Sequence, residues 1–86
     1  MIGDKDVTKL IREGEITYGY KEVMRMIKNG RGKLVVMANN IPENRKKEIE
    51  HNAKISGIKI EVFDGSSRKL GLLCGKPYPI SVLVVE

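Results

Sequence analysis

Leu34-Val35-Val36-Met37-Ala38-Asn39-Asn40-Ile41-Pro42 carries the strongest architectural signal in the chain. Its first five residues are apolar without interruption, which marks a strand covered on both faces. Asn39 and Asn40 break the run, and Pro42 suits the first turn of a helix. Ile49, Asn52, Ala53 and Ser56 recur at helical spacing before Gly57, so this helix is expected to run to Ser56. A doubly covered strand that passes straight into a helix belongs to an α/β architecture with helices on both faces of its sheet.

The same alternation extends to either side. Val7, Leu10 and Ile11 follow Asp4 and Asp6, either of which can cap a helix, and Gly14 ends the pattern, predicting a helix near Asp4 to Glu13. Ile16-Thr17-Tyr18 reads as a short strand that stops at Gly19. Lys21 to Asn29 sets Val23, Met24 and Ile27 on one helical face before Gly30. Downstream, Ile58, Ile60 and Val62 alternate with Lys59, Glu61 and Phe63, the pattern of a strand near a sheet edge or only partly covered. Asp64-Gly65-Ser66-Ser67 is a turn with a capping serine, leading into a short helix to Cys74. Gly75-Lys76-Pro77-Tyr78-Pro79 fits neither a helix nor a central strand, and Ser81 to Val85 forms a last buried strand. Four helices alternating with four strands predict a four-stranded sheet between helical layers, a three-layer α/β/α sandwich. Its 86 residues make one domain spanning 1–86, with no internal repeat or linker.

Composition narrows the functional classes. Sixteen Lys and Arg against eleven Asp and Glu leave a net +5, pointing to a polyanionic partner. The surplus is local: between Tyr20 and Lys47, eight basic residues face Glu22 and Glu43, while the flanking segments are near neutral. A solvated helix surface is the plain alternative for such a run. The single cysteine, Cys74, excludes an internal disulfide framework and a multi-cysteine zinc cluster, and fits a reducing cytoplasm. No apolar run approaches the roughly 20 residues of a membrane span, and the first residues lack a secretory signal's apolar region. A soluble, unexported protein without membrane association is expected.

Catalytic signals are weak. Gly30-Arg31-Gly32-Lys33 has the look of a phosphate loop, but it follows a helix, enters a strand and places Leu34 where a hydroxyl belongs. His51 has no partner at metal-ligand or general-base spacing, so an exposed or hydrogen-bonded structural role is its default. Cys74 follows Leu72 and Leu73 and reads as a core thiol. No nucleophile–base pair or metal set stands out; neither enzymatic activity nor a cofactor is expected.

Three junctions offer binding chemistry instead. Gly19-Tyr20-Lys21 and Asn39-Asn40-Ile41-Pro42 lie where strands end and helices begin, each presenting helix-start N–H groups to a phosphodiester. Lys21 adds a charge, and Asn39 and Asn40 carry the paired donor and acceptor that a base edge requires. The alternative is a glycine turn and helix-capping asparagines. Tyr78, held between Pro77 and Pro79, is the kind of aromatic on which an unpaired base stacks. Its loop leads from a helix into a strand, so it shares an end with the other two only if the last strand runs antiparallel to theirs.

Gly19-Tyr20-Lys21, Gly32 to Pro42, Arg45-Lys46, Ser56-Gly57-Ile58 and Leu70-Gly71-Leu72-Leu73-Cys74-Gly75-Lys76-Pro77 together resemble the L-thirty-e family of archaeal and eukaryotic large-subunit ribosomal proteins, within the superfamily that binds kink-turn RNA. The resemblance covers about Val7 to Val85. It implies a mixed four-stranded sheet and a ribosomal RNA kink-turn gripped by three loops at one end. By position it implies RNA contacts at Gly19 and Lys21, a base-contacting Asn40 with its neighbour Asn39, Arg45 and Lys46 on the following helix, and an extruded nucleotide against Tyr78 and Ile80.

The expected function is therefore that of a structural constituent of the large ribosomal subunit, cytoplasmic and ribosome-bound, stabilising a kink-turn in ribosomal RNA beside neighbouring ribosomal proteins and monomeric when free. The rivals are a kink-turn protein of another ribonucleoprotein and a module whose basic helices meet an acidic protein.

Overall fold

A computed structural model describes residues 1–86 and converts each apolar pattern into an element. In chain order these are α1 (Asp4–Glu13), β1 (Ile16–Tyr18), α2 (Tyr20–Lys28), β2 (Leu34–Met37), α3 (Glu43–Ser56), β3 (Lys59–Val62), α4 (Ser67–Leu73) and β4 (Val82–Val85). The strands form one mixed sheet in the order β1-β4-β2-β3. β2 and β3 are parallel, with Val35 opposite Ile60. β4 lies between β1 and β2 and runs antiparallel to both, pairing Thr17 with Val84 and Val36 with Leu83.

Alternation of side chains across the pleat divides the core in two. Val35, Met37, Val82 and Val84 face α2 and α3, where they pack with Val23, Ile27, Ile49 and Ala53. Val36, Leu83 and Val85 face α1 and α4, where Val7, Phe63, Leu70 and Ile80 complete the second cluster. Both faces of β2 and β4 are thus covered, giving the three layers expected from the unbroken apolar runs. A one-residue slip of either strand would exchange its two sets of side chains between dissimilar helical surfaces, which pins the register.

The differences from expectation are local. Pro42 caps α3 from outside instead of occupying its first turn, and β2 ends at Met37 although the Ala38 N–H still donates to the Ser81 carbonyl at 2.8 Å. β3 is an edge strand, as its alternation predicts. Its end is nevertheless closed: the Ile2 N–H donates to the Val62 carbonyl and the Asp64 N–H to the Ile2 carbonyl, at 2.9 and 2.8 Å. Phe63, on the face of the charged Lys59 and Glu61, is therefore fully buried under the α1/α4 layer. Such pairing also protects an exposed edge from other chains.

Candidate nucleic-acid interface

Antiparallel β4 supplies the condition on which the three junctions depend. The Gly19 N–H donates to the Val82 carbonyl at 3.2 Å, and Ala38 donates to Ser81, so the start of β4 is held between the ends of β1 and β2. Residues 75–80 consequently emerge beside both strand-to-helix turns. A recess of about 260 Å³ forms there, lined by Tyr18, Gly19, Tyr20, Arg45 and the segment Tyr78 to Ser81.

Each wall has a local cause. Gly19 adopts φ 95°, ψ 144°, a conformation side chains resist, and this lets β1 turn directly into α2. No side chain caps α2 or α3, so the first N–H groups of α2 and α3 remain orphan donors. The third loop is strapped to α4: the Lys76 N–H donates to the Gly71 carbonyl and the Ile80 N–H to the Ser67 carbonyl, both at 2.9 Å. Gly71 is required for this contact, because a Cβ on it would stand 2.1 Å from the Tyr78 carbonyl oxygen. Tyr78 is 53% exposed and Ile80 is buried at 3%, and both line the recess.

The charged groups are arranged by aromatic rings. Arg45 lies over the Tyr20 ring at 4.8 Å from its centroid, and the Tyr20 hydroxyl donates to the Glu48 carboxylate. That hydrogen bond, assisted by burial and the Glu48 charge, raises the Tyr20 pKa against the opposing pull of Arg45. Lys76 lies 5.0 Å from the Tyr18 ring centroid. Burial raises the Tyr18 pKa, with Cys74 and Tyr78 adding to it, and burial likewise raises that of the half-buried Cys74 thiol. Lys21 and Lys46 take part in none of the five ion pairs.

Asn39 and Asn40 stand to one side of the recess. The Asn39 N–H donates to the Gly65 carbonyl at 2.9 Å, and Asn40 Oδ1 accepts from the Ser67 N–H at 2.8 Å. Ser67 therefore ties the second loop to the third, bonding Asn40 through its N–H and Ile80 through its carbonyl. Asn40 Oδ1 is thus tied to the fold and its Nδ2 donates to no protein group, a constraint no sequence pattern displays. Sequence reasoning also missed Tyr20, Glu48, Ser67 and Lys76. Glu48 follows Arg45 at helical spacing and could have been found; the role of Ser67 depends on a contact across 27 residues. Neither Lys21 nor Lys46 lines the recess. The Gly30–Lys33 turn enters β2 at the opposite end of the sheet, where Arg31 pairs with Glu86 at 3.2 Å. His51 is exposed, and no three His, Cys, Asp or Glu side chains gather as a metal site.

An α/β/α sandwich with three loops converging at one cationic end is a class of small scaffold suited to polyanion binding. The chain belongs to the ribosomal protein L7Ae/L30e/S12e/Gadd45 family, which matches residues 2–86. It is 40% identical over 83 residues to the large ribosomal subunit protein eL30 of Methanothermobacter thermautotrophicus, covering 96% of this chain and 85% of that protein. Identity to eL30 of Methanocaldococcus jannaschii is 39% over 84 residues, or 93% of this chain and 76% of that one. For eL30 of Tetrahymena thermophila it is 42% over 76 residues, or 88% and 73%. A solved structure of a protein with unknown function from Bacillus halodurans C shares the fold, with TM-score 0.79 over 92% of this chain and 78% of that chain at 23% identity.

Proposed function

We propose that this protein is a structural constituent of the large ribosomal subunit and binds a kink-turn in ribosomal RNA with the loop end of its sheet, as a monomer when free. Family membership and the eL30 relatives support the ribosomal role, which is structural and not enzymatic. The observation that carries the RNA reading is the convergence of Gly19, Arg45 and Tyr78 on one recess.

Each part has a physical task. Orphan N–H groups of α2 and the Lys21 ammonium hold phosphates, Asn40 donates to a base, and Tyr78 with Ile80 shelters an unstacked one. Arg45 and Lys46 add positive charge from α3, and Asn39 shapes the turn that presents Asn40. Specificity then comes from bent shape and splayed bases rather than a groove code.

The test is binding to an RNA duplex interrupted by a kinked internal loop, against the same duplex fully paired. Tighter binding to the kinked form is expected; equal affinity for both would refute the reading. Lys21→Ala should weaken binding and reduce the slope of log affinity against log salt by about one. An unchanged slope would remove Lys21 from the phosphate contacts.

A further inference from the structure

Tyr20 and Arg45 flank the loop-end recess, and Tyr20 also borders a second, wider depression. An open trough of about 550 Å³ runs between α2 and α3, lined by Tyr20, Lys21, Met24, Arg25, Lys28 and Glu48. Lys21, Arg25 and Lys28 recur at i, i+4 and i+7, which aligns them in one row on α2. From Lys21 to Lys28 the row extends about 10 Å along the helix. Arg25 is partly neutralised by Glu22 at 2.8 Å, but Lys21 and Lys28 are exposed and have no acidic partner. Across the trough, the carboxylate of Glu48 is engaged by the Tyr20 hydroxyl, and Arg45 sits above the same ring.

We propose that this trough carries the phosphodiester backbone of one RNA arm leaving the bend, with Lys28 its far anchor. The protein would then hold both the kink and one flanking strand. This rests on the RNA-binding reading above and extends it beyond the three loops. One feature favours RNA over an acidic polypeptide: the trough is continuous with the loop end through Tyr20 and Lys21. A ridge of cations along its wall suits a chain of phosphates.

The experiment compares wild type, Lys28→Ala, Lys28→Glu and Lys21→Ala on a kinked RNA with two full arms and on two versions with one arm cut back close to the kink. Lys28 is exposed, so unchanged thermal midpoints should verify intact folding. On the full RNA, Lys28→Ala should bind about threefold to tenfold more weakly and lose about one unit of salt slope, with a larger loss for Lys28→Glu. On one of the trimmed RNAs the Lys28 defect should vanish, while the Lys21→Ala defect persists on all three. Wild-type affinity of both Lys28 variants on the full RNA would overturn the proposal, as would an equal defect on all three RNAs. So would Lys28 variants that bind RNA normally but lose binding to polyglutamate, which would make the trough an acidic-protein site. Failure of the wild type to prefer kinked RNA would instead defeat the underlying reading.

Discussion

In the proposed interface, Asn40 serves the fold and the RNA with separate atoms. Its Oδ1 accepts from the Ser67 N–H, which fixes the amide and leaves Nδ2 as its unpaired donor. Aspartate retains acceptors but has no donor when ionised. Asn40→Asp should therefore keep the thermal midpoint near wild type while RNA affinity falls, measured by parallel melting and binding titrations; a matched loss in both would mean that the residue acts only through the fold. Tyr20 and Arg45 are also coupled by their 4.8 Å stacking. Tyr20→Ala, Arg45→Ala and the double variant should give non-additive RNA affinities, with a coupling of about 0.5 to 1 kcal/mol for an exposed cation–π pair. Additive losses would show that Arg45 reaches RNA without help from the ring. Lys21, Asn40 and Tyr78 were legible as residue types at special junctions. The partners that orient them, Ser67 and Glu48, were not, because hydrogen bonds between distant segments leave no periodic trace.

The elements followed their patterns closely, since helices and strands arise from local spacing of apolar residues. The same reasoning placed β3 at an edge, and the burial of Phe63 escaped it because Ile2, from the far N-terminus, closes that edge. The α4–β4 loop depends on one backbone contact that spacing alone does not reveal. Gly71→Ala sets a Cβ against the Tyr78 carbonyl and forces the loop away from α4. A loss of about 1 to 3 kcal/mol is expected from such overpacking, read by chemical denaturation. RNA affinity should fall as well, because Tyr78 and Ile80 move together; wild-type binding by a folded, destabilised variant would detach this loop from the interface.

Across the whole molecule, three groups gain stability from protonation in the same direction. The pKa values of Cys74, Tyr18 and Tyr20 are all raised in the folded state, the first two mainly by burial and the third by its bond to Glu48. Their contribution is complete below the unfolded values, about 8.5 for Cys and 10 for Tyr, and is lost as pH climbs through the folded ones. The thermal midpoint under reducing conditions should therefore decline above about pH 8.5, and Cys74→Ala should remove the earliest part of the decline; a flat profile to pH 11 would contradict this. The amino-acid order alone established the alternation of elements, the doubly covered strands at Leu34–Ala38 and Ser81–Val85, and the location of the positive surplus between Tyr20 and Lys47. These follow from near-neighbour spacing and from composition. Strand order and the direction of β4 came from packing, since a strand apolar on both faces suits a covered sheet in either direction and its spacing does not choose between them. That direction brings residue 80 beside residues 19 and 45, so a recess assembled from two remote loops and the start of α3 exists only once the sheet has formed.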